Sequence, residues 1–122
     1  MSKPKFEKKY LTAGEARYSH APMTARKVRL VLDIIRGKTV GKAMQLLTLT
    51  HKPSAAPAVL QVLKSARANV EKAKMPDPDA LVVSTAFADV AGMMKRTRPA
   101  PMGRAVRIRK RMCHITIRLT EE

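Results

Sequence analysis

The chain has 122 residues, enough for one domain with a modest core. Lys and Arg number 25 against 9 acids, a formal charge of +16, and a compact state so charged repels itself unless a polyanion neutralises it, which points to nucleic acid first and an anionic membrane second. A single cysteine, Cys113, excludes an internal disulfide and fits a reducing compartment; no run of about 18 apolar residues exists to span a membrane, and Met1-Ser2-Lys3-Pro4-Lys5 leads into no apolar signal segment.

Residues 1–9 carry Lys3, Lys5, Lys8 and Lys9 and read as a basic arm, and residues 10–18 form a weak strand interrupted by Gly14. A clear helix follows. Thr24 suits its N-cap, Val28, Val31, Leu32 and Ile35 fall on one face, and Gly37 supplies the stop. A second helix fits residues 39–49, with Val40, Ala43, Leu46 and Leu47 inward. A third fits residues 54–74 along the ridge Ala56, Val59, Leu63, Ala66 and Val70. Pro57 is tolerable there because it lies in the first turn. Met75-Pro76-Asp77-Pro78-Asp79 then stops the helix firmly. Residues 81–89 alternate loosely as a strand, residues 91–103 fit a connection with two glycines, and residues 104–119 make a last strand. There is no internal repeat. The expectation is one α+β domain over residues 1–122: three helices on a small three-stranded antiparallel sheet, with a long projecting β-hairpin at about 81–119.

The last strand changes character along one face. Arg107, Arg109 and Arg111 share a side with Cys113, Ile115, Ile117 and Leu119. Sixteen residues at about 3.3 Å each span roughly 50 Å. A compact chain of this size is only about 35 Å across. The apolar half can pack on the helices, and the cationic half must extend beyond them. From Val90 to Thr120 the chain has nine basic residues and no acid. Six of the eight cations between Lys95 and Arg111 are Arg, whose planar fork suits phosphate better than lysine's point charge. Arg26, Lys27 and Arg29 sit in the first turn of the first helix, where cations oppose the helix dipole but combine with free N–H groups into a phosphate site.

The only aromatics are Phe6, Tyr10, Tyr18 and Phe87, none of them in the basic hairpin. Single-strand platforms stack bases on aromatics, so recognition of folded RNA or duplex through shape and phosphate is preferred. Helices one and two could mimic a helix-turn-helix, but the second offers only Lys42 and Gln45 as polar readers. Catalysis finds little support. His20, His51 and His114 lack metal-ligand spacing, no carboxylates pair, Cys113 reads as a small buried hydrophobe, and no Gly-rich phosphate loop is present. A DNA-binding module and an RNA-modifying enzyme remain the alternatives. Base-specific protection of a duplex would mark the first, and turnover the second.

Three segments carry a family resemblance: ARKVRLVLDIIRGKTVGKAMQLL (25–47), VLKSARANVE (62–71) and MKRTRPAPMGRAVRIRKRMCHITIRL (94–119). They resemble the bacterial family of large-subunit ribosomal protein twenty-two, over most of the chain from about Gly14. The resemblance implies a non-enzymatic constituent of the cytoplasmic ribosome, with no cofactor, no metal and no small-molecule substrate. Its partners would be large-subunit ribosomal RNA, neighbouring ribosomal proteins, and the nascent chain in the exit tunnel that the hairpin lines. The charge pattern places RNA contacts at Arg26, Lys27, Arg29, Lys95, Arg96, Arg98, Arg104, Arg107, Arg109, Lys110 and Arg111; the resemblance matches Arg26 and Lys27 to the family's helix start and implies a hairpin tip at Met94, Lys95 and Arg96 beside the tunnel constriction. Departures from the family pattern are Ala25 for the usual proline, Val90-Ala91-Gly92 where Glu-Gly-Pro is common, Ala100-Pro101 for Arg-Ala, and Met112-Cys113 for Thr-Ser.

Overall fold

A computed structural model describes residues 14–74 and 77–121. In chain order its elements are β1 (Glu15–Ala21), α1 (Ala25–Ile35), α2 (Val40–Leu49), α3 (Ala55–Lys72), β2 (Val82–Ala100), a short 3₁₀ turn (Pro101–Gly103) and β3 (Arg104–Thr120). The basic arm and the first part of the 10–18 strand lie outside the described residues, and the strand that is seen starts later, at Glu15. The α+β expectation holds: three helices cover one face of a three-stranded antiparallel sheet of order β1-β3-β2.

The helices follow from their apolar spacing. In α1, Val28, Val31, Leu32 and Ile35 recur at three- and four-residue intervals and are fully buried. Thr24 has the extended backbone of an N-cap, although its side chain makes no capping bond. Gly37, at φ +79°, turns the chain after α1, where a side chain would be strained. The ridge Ala56, Val59, Leu63, Ala66 and Val70 of α3 is buried as its spacing predicts. In α2, Val40, Ala43 and Leu47 are buried, while Leu46 is only half-covered. These faces meet Ala16, Val83, Ala86, Ala88, Cys113, Ile115, Ile117 and Leu119 in one apolar cluster. Among the described residues, no helix is long and apolar enough to cross a membrane.

The sheet joins distant parts of the chain. β1 pairs with β3 from Glu15↔Arg118 to Ala21↔Cys113. Gly14 comes so close that a Cβ there would lie 2.8 Å from Val70 Cγ2 and 2.9 Å from Leu119 Cβ. One extra residue bulges β1 between Tyr18 and Ala21. His20 adopts φ +55° there and donates its backbone N–H to His114 Nδ1 at 3.0 Å, which makes that nitrogen an acceptor.

β2 and β3 pair from Val82↔Thr120 out to Ala100↔Arg104. Residues 91–100, expected as connection, are strand, and the reversal needs only Pro101–Gly103. Met102 (φ 63°, ψ 34°) and Gly103 (φ 67°) both take left-handed backbone, a tight turn that Gly103 suits and Met102 tolerates at some strain. β3 keeps one phase throughout. Its side facing the helices is buried at Cys113, Ile115, Ile117 and Leu119, and all of residues 104–111 are exposed. The two-stranded outer part, from Met93↔Arg111 to the turn, is a stem standing clear of the body.

Candidate nucleic-acid interface

The boundary between body and stem is built by backbone irregularity and by arginine. β2 bulges between Val90 and Met93, at the level where β1 ends opposite Cys113. Inside that boundary the free edge of β2 is closed. Arg29 Nε and Nη2 both donate to the Ala88 carbonyl, at 3.1 and 2.9 Å. Arg36 Nη2 donates to the Ala86 carbonyl at 2.6 Å. The Gly37 N–H donates to Val83 O, and the Val83 N–H to Lys38 O, both at 2.9 Å. The α1–α2 connection is thus stapled to the sheet. Arg29, expected to face RNA, has its guanidinium committed to β2. No local pattern signals this edge-sealing role, because it depends on where α1 lands on the sheet.

Other expected residues converge. The N-terminus of α1 and the root of the stem face each other across an open cleft of about 550 Å³, lined by Pro22, Met23, Thr24, Lys27, Ser54, Met94, Arg109, Lys110, Arg111 and Met112. A neighbouring cleft of about 330 Å³ is lined by Thr24, Ala25, Arg26, Arg29, Val90, Arg111 and Met112. Arg26, Lys27, Arg109, Lys110 and Arg111, up to 85 residues apart in sequence, therefore border one basic hollow. Thr24, which lines both clefts, makes no side-chain capping bond to the first turn of α1. Pro22, Met23, Ser54 and Met112 escape a reading of the sequence, since nothing local marks them as lining.

Lys95, Arg96, Arg98, Arg104 and Arg107 lie farther out along the stem and are exposed. The tip expected at Met94-Lys95-Arg96 is corrected: these residues pair with Lys110, Arg109 and Ile108 in mid-stem, and the turn is Pro101–Gly103. Six residues separate Met94 from Ala100, roughly 20 Å of strand. Glycines at both ends of 92–103 suggest a wide loop; Gly92 in fact sits at the bulge and Gly103 in the turn.

The charge is segregated. Among the described residues the ion pairs are Arg36–Asp33 (2.6 Å), Arg67–Asp79 (2.9 Å), Arg67–Glu71 (3.6 Å) and Arg118–Glu15 (3.3 Å), all in the body. No stem cation has an acidic partner among them. Burial pushes the Cys113 thiol up in pKa, and the nearby Arg29 charge pulls it partly back. A buried, protonated thiol behind the bulge is packing rather than chemistry. Among the described residues no three His, Cys, Asp or Glu side chains gather as metal ligands.

Fold and charge together define a basic α+β protein whose cations are concentrated on a protruding two-stranded arm. Residues 16–120 match the family described as Ribosomal protein L22p/L17e, and the chain belongs to it. It is 52% identical over 97 residues, 80% of this chain and 85% of the relative, to "Large ribosomal subunit protein uL22" of Oceanobacillus iheyensis. It is accordingly a structural, non-enzymatic protein of the large subunit of the cytoplasmic bacterial ribosome.

Proposed function

We propose that the protein binds large-subunit ribosomal RNA mainly through phosphates and supports assembly of the particle. The body docks through the hollow between α1 and the stem root, beside neighbouring ribosomal proteins. The hairpin runs inward and lines the nascent-peptide exit tunnel, with the Pro101–Gly103 turn and the Met94-Lys95-Arg96 segment of the stem near the growing chain. The observation that carries this reading is the stem itself. It holds eight cations and no acid over residues 93–111, its β3 strand is exposed throughout residues 104–111, and a bare two-stranded hairpin is marginal in water without an outside partner. A phosphate-dominated interface gives a log Kd against log salt slope of about 0.7 to 0.9 per phosphate neutralised. Titration of the protein against ribosomal RNA between roughly 50 and 200 mM salt tests this; an affinity indifferent to salt would overturn it.

A further inference from the structure

The register splits the stem into two unlike faces. Residues directly opposite each other across two strands point to the same side, with Cβ atoms about 4.5–5.5 Å apart. On one face Arg96 lies opposite Ile108, Arg98 opposite Val106 and Lys110 opposite Met94, so each of these cations has an apolar neighbour. On the other face Lys95 lies directly opposite Arg109, the one like-charged pair in the β2–β3 register. Arg107 and Arg111 flank that pair on the same face, two residues away on either side and about 6.6–6.8 Å distant along β3. Opposed like charges on a sheet are destabilising, and the stem contains no acid to relieve them.

Among the stem cations, Arg96 is the one whose side chain is bonded within the described residues. Arg96 folds back on its own strand, donating to Lys95 O at 2.9 Å and to Met94 Sδ at 3.8 Å. The side chains of Lys95 and Arg109 bond no side chain or carboxylate among the described residues.

We infer that Lys95 and Arg109 form a clamp for a single RNA phosphodiester, with Arg107 and Arg111 carrying the adjoining phosphates. An ammonium and a guanidinium reaching from adjacent strands can close on one anion between them, the fork of Arg109 taking two oxygens and Lys95 supplying a point charge. The anion converts the repulsion across the stem into two attractions. The inference rests on the RNA-binding reading above and adds to it one face and one pair.

Lys95→Glu tests it, because the two states respond with opposite signs. In the free protein the introduced carboxylate would meet Arg109 across the strands, and the melting temperature should rise. On ribosomal RNA the new ion pair withdraws both members of the clamp from their one phosphate, so the salt slope should fall by roughly 0.7 to 0.9, one phosphate's worth. Lys95→Met removes one charge without adding an acid, leaves Arg109 on the phosphate, and should lower the slope by less than Lys95→Glu does. Arg96→Glu, opposite Ile108, should not reproduce the gain in melting temperature. A slope unchanged by Lys95→Glu, or a melting temperature that stays level or falls, overturns the clamp. Absence of salt-dependent RNA binding by the unaltered chain would instead overturn the function proposed above.

Discussion

Ile117→Ala and Arg109→Ala, two changes on the same side of the same strand, should have opposite consequences. Ile117 is fully buried between β1, β2 and the helices, its Cα opposite Ala16 on one side and Ala86 on the other. Truncation removes three carbons, about 2.4 kcal/mol of transfer free energy at ~0.8 per methylene. The cavity left in a close-packed site adds to this, for about 3–4 kcal/mol altogether. For a chain of this length each kcal/mol moves the melting temperature by roughly 3–6 °C, so a fall of the order of 10–20 °C is expected. Arg109 sits in the exposed stem opposite another cation, so Arg109→Ala should leave the melting temperature level or slightly higher while weakening association with ribosomal RNA. Calorimetric melts of the free variants, together with filter binding, read both effects. Comparable thermal losses for the two would refute the division into a protein-packed root and a partner-dependent stem.

Gly14→Ala places a methyl within 2.8 Å of Val70 and 2.9 Å of Leu119; overpacking of this kind should lower the unfolding free energy by about 1–3 kcal/mol, visible as a lower urea midpoint at unchanged slope. Cys113, fully buried with its thiol held protonated by desolvation, should react with iodoacetamide only as fast as the protein opens, and prompt alkylation of the folded chain would contradict the packing described.

Helical periodicity is a reliable guide here because each helix lays a single stripe on one core; Val28, Val31, Leu32 and Ile35 show it, as does the α3 ridge. β3 is equally readable, its phase being unbroken over 17 residues, so the change from arginine to isoleucine on one face marks the body's edge. β2 is not. It bulges between Val83 and Thr85, so Leu81 and Val83 point inward before Ala86 and Ala88 take over, which leaves the alternation loose in sequence. The second bulge, near Gly92, shifts the phase again and disguises strand as loop. Among the site residues, exposure and charge are legible. The commitment of Arg29 to Ala88 is not, because it is made by a contact 59 residues away.

The pairing of β1 with β3 has a consequence for how the molecule is made. Ala16 and Ile117 are partners, yet about a hundred residues of synthesis separate them, and domains of multi-element chains tend to form as their parts emerge. On the ribosome that translates it, the α1–α3 segment can collapse early, but β1 has no strand to join until β3 follows. The β2–β3 hairpin is local and can close quickly around its three-residue turn. Incorporation of β1 is therefore a late step. A polypeptide interrupted before Cys113 would present its helices without Ile115, Ile117 and Leu119, leaving the apolar faces of α1 and α3 open to chaperones and proteases.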